Sequence, residues 1–126
     1  MPTPIPRWLA LPPAMEPQRN EVLLKVFFGR AVPPEVMRRN LAGVDGAVRA
    51  ELAELERIAA ELGRGALARH PDAPYWALTL DFGRSALRAA LGWLARAELA
   101  LRARPRSRLA ARPRGARRAL RTGGAR

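Results

Sequence analysis

The chain has 126 residues, with 23 Lys or Arg against 11 Asp or Glu and a formal net charge of +12. It has no cysteine, which excludes disulfide scaffolds, cysteine zinc sites and thiol nucleophiles. The charge is uneven: residues 1–101 carry 13 basic and all 11 acidic residues, while residues 102–126 carry ten arginines and no acid.

Residues 1–15 read as an extended lead. Prolines at 2, 4, 6, 12 and 13 favour extended backbone over helix, and they interrupt the run too often for a signal-peptide core. Trp8, Leu9 and Leu11 are the residues of the lead that would dock on a core. Glu16 and Pro17 suit a first helical turn, the acid facing the positive end of the dipole and the proline needing no N–H there. The first helix is therefore expected over residues 16–28, with Gly29 as its C-terminal stop. Its sequence, RNEVLLKVFFG from residue 19, is the most apolar stretch and holds the only lysine, Lys25. Val22, Leu23, Val26 and Phe27 form one broad face; Leu24 and Phe28 form a second. A helix apolar on two sides is buried between partners, not laid on a surface.

Pro33, Pro34 and Glu35 open a second helix in the same manner. Met37, Leu41, Val44, Val48, Leu52, Leu55, Ile58 and Leu62 follow in steps of three and four, the pattern of a coiled-coil seam. Glu51, Glu54, Arg57 and Glu61 form a solvated face, with Glu54 and Arg57 a favourable pair. Gly43 and Gly46 each cost about 1 kcal/mol relative to alanine and mark a kink or a close helix contact. His70-Pro71 closes the element. A third helix is expected over residues 72–102, with Asp72 as N-cap and Pro74 in the first turn. It carries one stripe of Leu80, Leu87, Leu91 and Leu94 and another of Leu78, Phe82, Ala86, Ala89 and Trp93. The tail, residues 103–126, has no apolar period and no aromatic residue, and is expected to be disordered.

The fold class is thus all-α: a three-helix antiparallel arrangement with long coiled-coil-like helices over residues 16–102, dimerising. The predicted dimer interface comprises Val22, Leu23, Val26, Phe27, Leu52, Leu55, Leu87, Leu91 and Leu94. Burying each such side chain contributes ~1.5–3 kcal/mol. Trp76, Trp93 and Phe82 are the candidates for an apolar effector pocket at a dimer seam.

An enzyme is not expected. His70 sits between a helix end and a proline with no serine partner nearby, and reads as a surface histidine. Glu51, Glu54, Glu56 and Glu61 lack the Glu-x-x-His pairing of helical-bundle metal sites. There is no P-loop and no dinucleotide fingerprint, so neither a cofactor nor a metal is expected. No stretch approaches the ~20 apolar residues of a membrane span, and the protein is expected to be soluble and cytoplasmic. Arginine outnumbers lysine 22 to 1; with Ala, Gly and Pro also abundant, GC-rich codons account for that bias. The tail arginines Arg104, Arg106, Arg108, Arg112, Arg114, Arg117 and Arg118 are nevertheless candidate phosphate contacts. They would bind nucleic acid without base readout and in a salt-dependent way. A small basic protein binding nucleic acid through this tail is the alternative function.

A family resemblance rests on particular residues. Arg7-Trp8-Leu9, Pro12-Pro13, Glu16-Pro17, Arg19 and the run from Glu21 through Lys25 to Phe27-Phe28-Gly29 resemble the opening of the C-terminal domain of PadR-like transcriptional regulators. The type is the one with a long, virulence-activator C-terminal domain. The stretch from Tyr75-Trp76 through Asp81-Phe82-Gly83 to Trp93-Leu94 is similar to that domain's last helix. The likeness covers about residues 7–101. It implies a helical domain that pairs two subunits, as a homodimer or with a full-length relative, and sets the spacing of two winged-helix DNA-binding heads. It also implies that some members sense small aromatic effectors near the interface. Only MPTPIP precedes Arg7. The expectation is therefore a regulator fragment without its DNA-binding head, through truncation, frameshift or a start codon placed too late.

Overall fold

Two antiparallel helices of about thirty residues carry the structure, a computed structural model that describes residues 5–105. They are α3 (Pro34–Leu62) and α5 (Ala73–Arg102), joined through the short α4 (Gly65–Ala68). Ahead of them lie α1 (Ile5–Leu9), α2 (Glu21–Phe27) and a single 3-10 turn, Gly29–Ala31. The described residues contain no strand, so the all-α expectation holds at that level. Among the described residues five α-helices form instead of three; α2, α3 and α5 have 7, 29 and 30 residues and correspond to the expected ones.

The boundaries follow local chemistry. α2 begins later than expected, because the Asn20 side chain accepts a hydrogen bond from the Leu23 N–H at 3.2 Å and fixes the cap there. Glu16 and Pro17 stay outside it. Gly29 does not simply end this helix. It opens the 3-10 turn, where an added Cβ would lie 3.2 Å from the Met37 Cε, so the turn passes close over the start of α3. Pro34 starts α3, and Glu35 sits in its first turn. Gly63 ends α3, and Gly65 at φ +62° takes the left-handed conformation that reverses the chain. Asp72 occupies the N-cap position of α5 but caps nothing with its side chain. Its own N–H donates to the His70 Nδ1 at 3.1 Å. The lead differs from expectation too. Ile5–Leu9 is helical, with Pro6 tolerated in its first turn. Trp8, Leu9 and Leu11 do not dock on the core and are 64%, 68% and 59% exposed.

The α3 stripe from Met37 to Leu62 is buried or half-buried at every position. It meets the Leu80, Leu87, Leu91 and Leu94 stripe of α5. At the open end of this hairpin Met37, Leu41 and Leu94 are buried, and Val22 and Val26 of α2 pack against them. In the middle the helices come close at Gly83, where an added Cβ would lie 2.9 Å from the Leu55 Cδ1. Gly43 and Gly46 mark no such contact; nothing lies within 4 Å of a Cβ at either. Two polar clamps fix the register. Arg38 on α3 holds Glu98 on α5 through Nε and Nη2, the shortest bond being 2.7 Å. Further along, Arg88 Nη2 donates to Glu56 at 2.6 Å.

Candidate functional site

The hairpin buries one apolar stripe of α5 and leaves the other outside. Leu78 and Phe82 of the second stripe are 67% and 73% exposed, and Tyr75 and Leu99 near the same face are 69% and 66% exposed. Trp93 alone of that stripe is half-buried, against the core. α2 divides in the same way. Val22 and Val26 face inward, while Leu23, Leu24, Phe27 and Phe28 are exposed. The rings of Phe27 and Phe28 meet edge to face with centroids 5.0 Å apart, so they cover each other and little else.

The nine residues predicted for a dimer interface therefore fall into two groups. Leu52, Leu55, Leu87, Leu91 and Leu94 line the seam between α3 and α5 within one chain, and Val22 and Val26 pack on its end. Leu23 and Phe27 are the two that remain exposed. Tyr75, Leu24 and Leu99 have the same exposed character and were not among the nine. The signal for Leu99 was its spacing, ten residues beyond Ala89 on the outer stripe.

Trp76, Phe82 and Trp93 do not converge. Trp76 and Trp93 are separated by about 25 Å along the helix at 1.5 Å per residue. Trp76 stacks on His70, with centroids 4.6 Å apart and planes at 24°. Phe82 points out on another face. A concave surface of about 410 Å³ lies at the turn end of the hairpin. Leu62, Ala68, Pro74, Ala77 and Leu80 line it, with Arg84 at its edge. The Arg84 Nε is buried without a hydrogen-bond partner among the described residues, and its Nη1 lies 3.5 Å from Glu56.

The charged groups of the body serve structure. Hydrogen bonds from Arg38 and then Arg102 hold the Glu98 carboxyl below its ordinary range, and the same contact raises Arg38. Arg57 lowers Glu54 and Lys25 lowers Glu21 through local pairs on their own helices. Glu51, Glu54 and Glu61 are exposed. Of the candidate phosphate contacts only Arg104 is described, and it is exposed just past α5. Arg106, Arg108, Arg112, Arg114, Arg117 and Arg118 lie outside the described residues, as does most of the tail expected to be disordered. No described helix is long and apolar enough to cross a membrane.

The sequence matches the family model described as virulence activator alpha C-term over residues 18–102, more than half of the chain. The chain belongs to the virulence activator alpha C-terminal family. It is thereby a transcription-regulator domain. The match begins just ahead of the Asn20 cap and ends on the last residue of α5, so the virulence activator domain comprises α2 through α5. Arg7-Trp8-Leu9 and Pro12-Pro13, which contributed to the resemblance, fall outside the matched span. No curated protein and no solved structure matches the chain.

Proposed function

We propose that this virulence activator domain joins two subunits of a PadR-like transcription regulator, as a homodimer or with a relative. In that role it sets the separation of the DNA-reading heads such regulators carry. One observation carries the reading: Tyr75, Leu78, Phe82 and Leu99, four large apolar or aromatic side chains on the outer side of α5, are each about two-thirds exposed or more. Among the described residues only Met37, Leu41 and Leu94 are buried, a small core for two helices of this length. Covering the outer stripe in a second subunit removes apolar surface from water at ~25 cal/mol per Å². Large exposed apolar patches mark interaction sites in soluble proteins. Light scattering at micromolar concentration is the test. A particle of twice the 13.9 kDa chain mass is expected, and a monomer overturns the proposal.

The charge distribution favours a second reading, non-specific nucleic-acid binding by the arginine-rich end of the chain. Binding through phosphates alone falls steeply with salt. Retention on duplex DNA at low salt, lost on deleting residues 103–126, is its expected signature; retention after that deletion removes the tail as the cause.

A further inference from the structure

The turn end of the hairpin is short of core. The buried residues Met37, Leu41 and Leu94 lie at the open end, and none of residues 59–80 is buried. The turn end holds the concave surface of about 410 Å³ instead, within the ~300–1,000 Å³ of small-molecule sites. Three helices build it: α3 contributes Ala59 and Leu62, α4 contributes Ala68, and α5 contributes Pro74, Ala77 and Leu80. These side chains are all aliphatic and mostly small. They offer a flexible chain a smooth wall and offer a flat ring nothing to stack on. The surface follows α5 from Ala73 to Arg84, about 16 Å at 1.5 Å per residue, which is room for a short extended acyl chain.

Among the lining residues only Arg84 has a polar side chain, and its donors are largely unused. The guanidinium makes one hydrogen bond among the described residues, from Nη1 to Glu56 at the long distance of 3.5 Å. Glu56 is held more closely by Arg88, at 2.6 Å. The Arg84 Nε is buried and has no partner among the described residues. A buried donor left unpaired is costly. The planar fork of Nε and Nη2 matches a carboxylate, which accepts two parallel bonds from it. An apolar cleft ending in one unsatisfied guanidinium is complementary to a molecule with one carboxylate and an aliphatic chain.

We infer that the turn end of the hairpin is a binding site for a short aliphatic carboxylate, its chain between α3 and α5 and its carboxylate on Arg84. The site lies within one chain and does not depend on the dimeric reading above. It adds a ligand to the end of the domain that has the least core of its own.

The test is calorimetric titration of the full chain with sodium octanoate, alongside 1-octanol and acetate. One octanoate per chain is expected, in a monomer or a dimer alike. Octanol keeps the chain without the charge, acetate the charge without the chain, and each is expected to bind at least about tenfold more weakly, the scale of a charged hydrogen-bonded contact or of two to three buried methylenes. Octanoate is also expected to raise the melting temperature in a concentration-dependent way, because it binds only the folded chain. Arg84→Gln is expected to bring octanoate down to the affinity of octanol. Ala77→Phe, at an exposed position that keeps Arg84 intact, is expected to fill the cleft and abolish binding while the helical circular dichroism stays unchanged. No heat and no melting shift with octanoate overturns the inference. Octanol binding as tightly as octanoate removes Arg84 from it, and binding that survives Ala77→Phe, or exceeds one per chain, places octanoate on other exposed apolar surface and overturns the site. None of these outcomes bears on whether the chain is a dimer.

Discussion

The closeness of α3 and α5 at Gly83 can be measured by adding one methyl group. In a helix interior, replacing glycine with alanine stabilises by about 1 kcal/mol through backbone entropy. At Gly83 the new Cβ would lie 2.9 Å from the Leu55 Cδ1, well inside the ~3.5–4.0 Å of a relaxed carbon contact. Leu55 is half-buried in the seam, so it must turn or α5 must move outward. Overpacking of that kind costs roughly 1–3 kcal/mol. Gly83→Ala is therefore expected to change stability by between about zero and 2 kcal/mol in the unfavourable direction. Gly43→Ala meets nothing within 4 Å and should keep the whole gain of about 1 kcal/mol. The same chemical change at two glycines in long helices thus has opposite expected signs. Urea denaturation of both variants, at one fixed protein concentration because association shifts apparent stability, reads the difference. Gly83→Ala in a Leu55→Ala background should recover the gain, since the obstructing methyl is gone. If Gly83→Ala stabilises as much as Gly43→Ala in the intact chain, Leu55 does not face Gly83 and the register of the hairpin is wrong.

Two further substitutions separate the inside of α5 from its outside. Leu94→Ala removes a side chain that is 5% exposed beside Met37 and Leu41 and should cost about 2–5 kcal/mol, seen as a lowered urea midpoint. Leu78→Ala removes a side chain that is 67% exposed and should leave the folding of one chain within about 0.5 kcal/mol while weakening association in sedimentation equilibrium. Glu98→Gln should lower the melting temperature at neutral pH, because it takes the charge from the clamp between Arg38 and Arg102. The sign with pH follows from the depressed carboxyl. Its stabilisation is complete above the unfolded value of about 4.3 and is lost as pH falls through the lower folded value. The wild type and Glu98→Gln should therefore converge in melting temperature below about pH 4. A gap that stays constant down to pH 3 rules out the ionised clamp as its cause.

Periodicity made the seam legible. The α3 stripe from Met37 to Leu62 needed only steps of three and four to be found, and each of its members is at least half-buried. The start of α2 was ambiguous because Glu16-Pro17 and Asn20 both have helix-start chemistry. Only the cap geometry decides between them, and Asn20 accepts from Leu23. The two tryptophans, seventeen residues apart on one helix, are separated by several turns, as their spacing already implies. What sequence alone could not settle was which stripe of α5 turns inward. Both are apolar enough to do so.

That choice is made by the partner helix, and it directs attention to the surface. Gly83 lies beside the leucine stripe and lets α3 approach it, with Leu55 filling the space where a side chain would stand. The Leu78–Phe82 side of α5 stays outside. The charges follow the same division. Arg38, Glu56, Arg88 and Glu98 are consumed in clamps across the seam, whereas Asp81 and Arg96, on the outer side, have no ion-pair partner among the described residues. Apolar area and unmatched opposite charges thus coincide on one continuous strip about six turns long. The aromatic residues first considered for a pocket are scattered along the helix. On the dimeric reading proposed above, that strip is the surface a second subunit would cover.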